Sequence, residues 1–424
     1  MIDKNDLCIE CGICSAICPN NCISLEEAGN HYLPKVNSDC VNCGLCQKVC
    51  PMQNLCDNYD SDKNVEQFIL GSYKHIYFAK TKDEKILANA TSGGVVTQIV
   101  KTLLNNGSYN KACLIEGYNY ENQLVTKPFG NDDDLSSTQK SRYLTISHKN
   151  TCEYILNNPE ERVIVVGTGC AINGIQNFIK LKKLNKENYL FVGLICDKTM
   201  NYGVYKYFKG KYKKFGEIKN LYFRTKDNGG WPGGVRIEYK DASVIDLNRK
   251  ERMAVKEYFM PECCLYCLNK LNSNADIVLG DNYIKEYEDK KGASSVLVRT
   301  DKGEAVIDSM KDVLEIIDNT EEEFLKSLVL TNRERNIEYA KIKGLLSGTA
   351  RKKYKKQYRE SLRKIKIGNS SDVYRTVQRD LNLQKIKKII KDVPKFIFSI
   401  KNKNDNGKKQ KVITVLGIKF RLTK

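Results

Sequence analysis

Two copies of one cysteine spacing lie within the first 57 residues, and no other feature of the 424-residue chain restricts its folding as tightly. The first copy is Cys8-x2-Cys11-x2-Cys14-x3-Cys18-Pro19; the second is Cys40-x2-Cys43-x2-Cys46-x3-Cys50-Pro51. Three cysteines at i, i+3 and i+6 wrap a tight loop around three corners of an iron–sulfur cubane. The fourth, ahead of proline, reaches across to complete the other cluster. The spacing therefore predicts one 4Fe–4S site from Cys8, Cys11, Cys14 and Cys50, and a second from Cys40, Cys43, Cys46 and Cys18. Gly12 and Gly44 fall in the loops, where backbone amides can approach sulfide. Two zinc knots would also use Cys-x2-Cys pairs, but with four ligands each, no third close cysteine and no crossing cysteine–proline. Cys22 and Cys56 lie just outside the copies and read as buried thiols.

This segment resembles the bacterial two-cluster ferredoxin module. The chain carries 17 cysteines, and its first residues, MIDKNDLCIECGIC, lack a charged-then-apolar leader. Together these point to metal ligation in a reducing compartment, with the cytoplasm as the expected location. No run approaches the roughly 18 apolar residues of a spanning helix. The net charge of +19 is carried by the end of the chain. Residues 351–424 hold 24 Lys/Arg against 5 Asp/Glu, and the first 350 hold 46 of each sign. The basic balance is thus a property of the tail, and nucleic acid is not an expected partner of the whole.

Composition divides the chain into a two-cluster domain (1–57), a polar linker (58–74), a central domain (75–332) and a basic, mostly helical tail (333–424). In the central domain buried β runs alternate with helical patterns, so the expected class is α/β there and α+β overall. Four of its segments carry chemistry. Ser92-Gly93-Gly94 precedes a helix with Val95, Val96, Ile99, Val100, Leu103 and Leu104 at helical spacing. Such a loop either offers amides to an anion or simply caps the helix. ERVIVVGTGC is a buried strand followed by Thr168-Gly169-Cys170 and a helix; NYLFVGLIC is another, ending in Cys196. If the two are parallel, both cysteines lie at carboxyl ends, where open α/β sheets bind ligands. Finally PECCLYC sets Cys264-x2-Cys267 before the strand DIVLGD. Cys170, Cys196, Cys264 and Cys267 make a third 4Fe–4S site from three loops, with Cys263 able to replace Cys264; four unrelated structural thiols is the other reading.

The order of these segments, with Ser141-Arg142-Tyr143, Gly-Gly-Trp231 and SSVLVRTDKG, resembles the beta-subunit family of coenzyme F420 hydrogenases and dehydrogenases over about residues 75–310. The resemblance implies an FAD beside the third cluster and a pocket for a small-molecule hydride donor or acceptor. It also implies that Ser92, Gly93 and Gly94 touch the flavin nucleotide, that Ser141, Arg142 and Tyr143 help hold it, and that Thr168 and Gly169 belong to the loop bearing Cys170. The sequence departs from the family at Gly169 (usually Pro), at Asp197-Lys198 (usually His-Gly) and at Asn282-Tyr283 (Phe-Trp in members from polysaccharide gene clusters). These changes put the substrate pocket in question and leave the cysteines intact.

No Ser/His/Asp set, phosphate-binding Walker loop or HExxH motif is present, and His31, His75 and His148 receive no catalytic role. Trp231, in a glycine-rich loop, either covers a planar ligand or anchors a surface turn. The tail places Leu383, Ile386, Ile389, Ile390 and Val393 at helical spacing among lysines. It packs on the main domain or lies peripherally on an anionic membrane, and the closing VITVLGIKFRL reads as a short strand. The expected function is an iron–sulfur flavoprotein oxidoreductase exchanging electrons between coenzyme F420 or an organic substrate and ferredoxin-type clusters, with a redox partner protein or ferredoxin, within surface polysaccharide synthesis. The flavin and clusters carry the chemistry, so no side chain is expected as nucleophile or base. A non-catalytic electron-transfer subunit that feeds a partner enzyme is the alternative. A third reading has the tail bind membrane or nucleic acid while the clusters are structural.

Overall fold

The computed structural model describes residues 7–53, 55–56, 59–284, 289–328, 330–405, 408–415 and 418–423. The chain divides into two compact units, Met1–Asn369 and Ser370–Lys424. The first opens with the duplicated cysteine segment. Gly12 and Gly44 take left-handed backbone (φ 69° and 74°), which glycine reaches without strain, and start the short helices Ile13–Ile17 and Leu45–Val49. Between these helices β1 (Ile23–Ala28) and β2 (His31–Val36) pair antiparallel.

A nine-stranded sheet fills the middle of this unit. Six of its strands come first: β3 (His75–Thr81), β4 (Lys111–Ile115), β5 (Leu124–Phe129), β6 (Ile146–Ser147), β7 (Val163–Thr168) and β8 (Tyr189–Leu194). The chain then forms a separate antiparallel sheet of β9 (Ile218–Thr225), β10 (Gly234–Tyr239) and β11 (Val244–Leu247). It returns through β12 (Ile277–Asp281), β13 (Ser294–Val298) and β14 (Leu314–Asp318), giving the order β14-β3-β13-β12-β8-β7-β4-β5-β6. Neighbours among β4, β7, β8 and β12 are parallel, while β13, β3, β14 and β5 join antiparallel. The sheet is therefore mixed. The buried runs of β7 and β8 mark its parallel centre, as continuous apolar strands do when both faces are covered.

Val95, Ile99 and Leu103 of the helix Val95–Asn105 cover one face, against Ile164, Leu190 and Val192. In a second cluster Ile172, Ile175 and Phe178 of the helix Gly169–Leu181 meet Ile13, Ile17 and Val49 from the cysteine segment. The duplicated segment thus shares the core of the sheet domain. Gly174 permits the contact: a Cβ there would stand 2.6 Å from Ile13 Cδ1 and 3.3 Å from Pro51 Cδ. Gly174→Leu is expected to cost about 1–3 kcal/mol through overpacking, read as a lower thermal midpoint; an unchanged midpoint would refute this account of the joint.

Two expected regions pack more closely than their composition suggested. Residues 58–74 contain a helix, Val65–Leu70, whose Ile69 and Leu70 are buried. Beyond residue 332, the helices Thr331–Lys343 and Lys352–Gly368 lie within the first unit, with Tyr339, Tyr354, Tyr358 and Ile365 in its core. Their lysines hid a narrow apolar stripe. The described residues of the second unit form the helix Val373–Ile397 and an antiparallel meander of β15 (Phe398–Asp405), β16 (Lys408–Val415) and β17 (Ile418–Thr423). The sequence promised only the final strand, because the Asn- and Lys-rich run before it is poor in strand formers. Leu383 and Ile386 are exposed; the side chains of Ile389, Ile390 and Val393 lie outside the described residues. No described helix is long and apolar enough to cross a membrane.

Candidate metal centres

Each copy of the cysteine spacing places its ligands in the same local way. The second cysteine precedes the left-handed glycine, the third rides the short helix, and the fourth caps it and leaves in extended backbone (Cys18 ψ 117°, Cys50 ψ 120°). Cys50 is turned toward the first copy. Burial is the main cause that raises the Cys8, Cys11 and Cys14 thiols, Cys8 to about 12, and Cys50 adds a repulsive contribution at all three. Cys18, Cys40, Cys43 and Cys46 line one pocket. Cys22 is the fifth thiol there, with its Sγ 3.2 Å from that of Cys18. Cys56 is buried and donates to the Tyr266 carbonyl at 3.7 Å. The two expected quartets are thus gathered, one enclosed and one opening at exposed Cys43.

The third quartet converges from three loops. β7 and β8 are parallel, so Cys170 at the start of its helix and Cys196 after β8 share the carboxyl edge of the sheet. Cys264 and Cys267 arrive on the turn around Glu262–Leu265. Burial raises Cys170 to about 12 and Cys196 still higher, and each is raised further by Cys264 and Cys267. Cys264 goes the other way, lowered through the Cys263 thiol above all, with help from the Thr199 backbone, Arg333 and Lys198. Cys263 stands between two sites: its thiol interacts with Cys264, Cys170 and Cys267, and its Sγ also lies 3.9 Å from the Cys8 carbonyl, linking this turn to the first quartet.

Thiolate donors in fours suit a 4Fe–4S cluster. A buried donor without a partner, Asn269 Nδ2, sits beside the Gly169 backbone next to Cys170, as an N–H aimed at cluster sulfur would. Among the described residues no three His, Cys, Asp or Glu side chains are drawn together closely enough to hold a single metal ion.

The sequence did not point to the residues that brace this turn. Arg333 is 1% exposed and donates to the carbonyls of Cys196, Asp197 and Cys267. Asn336, one helical turn on, donates to Cys264 O at 3.2 Å and Cys267 O at 2.8 Å. Both lie 66 or more residues from their partners, and no local pattern signals such contacts. The departures at Asp197 and Lys198 are taken up by ion pairs with Lys270 and Glu257.

The expected flavin contacts lie along the same edge, with several of their donors already engaged. Gly93 N–H donates to Ser294 Oγ at 3.1 Å and the Ser92 hydroxyl to the Ala293 carbonyl. Gly94 is left-handed (φ 72°) and opens the helix. Ser141 N–H donates to Thr91 Oγ1 at 2.9 Å, tying the Ser141–Tyr143 segment to this loop. Arg142 is buried with its guanidinium on the carbonyls of Gly117, Ser137, Thr138, Gln139 and Lys140. Arg142→Gln is expected to lower stability by about 3 kcal/mol; flavin loss with an unchanged midpoint would instead assign it to the ligand. Tyr143 accepts at its hydroxyl from Arg224 Nη1 at 3.1 Å. Thr168 Oγ1 is 3.3 Å from Cys170 Sγ.

Arg224 pairs with Asp281 at the end of β12. Burial opposes the Asp281 charge, and Arg224 outweighs it to hold the carboxyl below its ordinary range. Trp231 Nε1 donates to the same carboxylate at 3.1 Å, and the ring packs against Gly292, so the only tryptophan anchors its loop.

Residues 76–151 and 160–322 match the family models for the N-terminal and C-terminal parts of the coenzyme F420 hydrogenase/dehydrogenase beta subunit, and residues 7–54 match a 4Fe–4S dicluster domain. The chain is 27% identical over 361 residues to the coenzyme F420-dependent sulfite reductase of Methanocaldococcus jannaschii, covering 80% of this chain but only 51% of that protein. It is 24% identical over 343 residues to a subunit of the F(420)H(2) dehydrogenase of Methanosarcina mazei, covering 79% of this chain and 92% of the relative. A chain of the F420-reducing NiFe hydrogenase complex from Methanosarcina barkeri superposes with a TM-score of 0.49 at 19% identity, over 68% of this chain and 98% of that one.

Proposed function

Because the chain belongs to the coenzyme F420 hydrogenase/dehydrogenase beta-subunit family, we propose that it is an iron–sulfur flavoprotein oxidoreductase, moving electrons between a hydride donor or acceptor and a redox partner protein. The observation that carries this reading is the convergence of Cys170, Cys196, Cys264 and Cys267 at the carboxyl edge of the sheet, inside the compact unit that also holds the eight ferredoxin-type cysteines. FAD bound beside that edge would supply two-electron hydride exchange, and 4Fe–4S clusters would supply one-electron transfer.

The chain's own residues supply placement. Arg333 and Asn336 fix the carbonyls behind Cys196, Cys264 and Cys267, and the Arg333 charge favours their thiolates. The contact of Cys263 with the Cys8 carbonyl brings the third quartet against the enclosed quartet. The other quartet opens at exposed Cys43 and Val41, which suits it to face a partner. The electron order we propose runs from the sheet edge through the Cys8 quartet to the Cys43 quartet, or the reverse. Coenzyme F420 is the first donor to try, and an organic substrate of surface polysaccharide synthesis the second.

The test is iron, acid-labile sulfide and released flavin per chain, purified without oxygen. About twelve irons with one FAD support the reading, and bleaching of the flavin by reduced F420 would name the donor. About eight irons and no flavin would overturn it and leave an electron carrier.

A further inference from the structure

Three cations on one side of the helix Arg249–Val255 and its capping residue end on no carboxylate among the described residues. Arg249, Arg252 and Lys256 are spaced i, i+3 and i+7, a single helix face. Arg252 is 3% exposed, and its guanidinium lies 4.4 Å from the centroid of the Tyr143 ring. Lys256 Nζ stands 5.9 Å from the same ring, and the Arg249 guanidinium 5.8 Å from that of Tyr283. Arg252 Nε is buried with no hydrogen-bond partner. The nearby acids are spent on other cations: Glu251 on Lys211, Glu257 on Lys198, Asp197 on Lys270 and Asp281 on Arg224. Burial pulls both Arg252 and Lys256 below their ordinary range, and Lys198 adds to the effect at Lys256. A buried guanidinium without a counter-ion is costly to keep, and such costs concentrate where a ligand is bound.

We infer that this helix face, with Tyr143 and Tyr283, binds the phosphate or pyrophosphate group of a ligand, with Arg252 and Lys256 as its anion contacts. Arginine offers a planar fork to two phosphate oxygens and lysine a compact charge. A single carboxylate would leave most of the positive charge unmatched. The rings of Tyr143 and Tyr283 hold the two guanidiniums in place by cation–π contact. Tyr143 and Asp281, both held by Arg224, place the site at the sheet edge where hydride exchange is proposed. The inference rests on these contacts and not on that reading. The phosphate can belong to the flavin itself or to a phosphorylated substrate.

The experiment is equilibrium binding of inorganic pyrophosphate to the full chain, purified without oxygen, before and after saturation with FAD. Saturable binding is expected, weakened at least about tenfold in Arg252→Met and in Lys256→Gln. The ligand-free Arg252→Met chain should melt no lower than the parent, because it has lost a buried unpaired charge. Pyrophosphate binding abolished by FAD assigns the site to the flavin; binding retained beside FAD assigns it to a substrate. Absence of saturable binding overturns the inference. So does undiminished binding in both variants, and so does a lower midpoint in Arg252→Met with binding intact. Variant-sensitive binding in a chain that takes up no flavin keeps the site and removes only the flavin.

Discussion

Cys196→Ser is expected to lower the iron content of the anaerobically purified chain from the proposed total of about twelve atoms to about eight, with the matching loss of sulfide. Serine keeps the shape of the side chain but is a far poorer ligand for iron, which prefers the soft thiolate. Cys196 follows β8 directly, and its backbone is fixed on both sides, its N–H donating to Lys270 O at 3.1 Å and its carbonyl receiving Arg333. Cys263, whose thiol interacts with Cys264, Cys170 and Cys267, is the neighbour that could substitute, so the double variant Cys196→Ser/Cys263→Ser is the control. The ferredoxin-type cysteines are untouched, so the signal of two coupled clusters in electron paramagnetic resonance should persist. A double variant that kept the parent's iron would remove Cys196 from the ligand set. A parent with about eight irons would remove the third site altogether.

Arg333→Met should be the most damaging change outside the cysteines. The substitution leaves the carbonyls of Cys196, Asp197 and Cys267 without their donor in a buried place. An unsatisfied buried polar group costs about 1–3 kcal/mol, so a total of about 3 kcal/mol or more is expected. The positive charge that lowers the Cys196, Cys264 and Cys267 thiols is lost as well. We expect a lower thermal midpoint and faster loss of about four irons on exposure to a chelator. Arg333→Lys separates the two contributions: lysine returns the charge but not the fork, so it should restore iron retention more than stability. Equal behaviour of the Met and Lys variants would show that the charge has no part in holding the cluster.

What could be read from the chain beforehand depended on whether the signal was local. The eight N-terminal cysteines were legible because cluster geometry dictates short, fixed spacings. Cys170 and Cys196 were legible because apolar runs ending in a cysteine put that cysteine at a strand's end, and the parallel pairing of β7 and β8 does the rest. Arg333 and Asn336 were not, since they sit at the start of what composition presents as a basic tail. Their partners lie far back in sequence, and only the fold brings them together. Tyr354, Tyr358 and Ile365 were hidden for a related reason, as a thin buried line among exposed lysines carries little average hydrophobicity. The Ser92–Gly94 loop was legible only as two alternatives, amides offered to an anion or a plain helix cap, and close packing on Ala79, Ala293 and Ser294 engages part of it.

The seating of Ile13 and Pro51 against Gly174 has a kinetic corollary. A free ferredoxin finds its reductase by diffusion, so its turnover depends on how much of it is present and on the salt around it. Here the equivalent piece is mortised into the same block as the sheet. Hand-over between the Cys8 quartet and the sheet edge would then be first order, indifferent to dilution and to ionic strength. Both sensitivities would be confined to the last step, where an outside protein meets the Cys43 side.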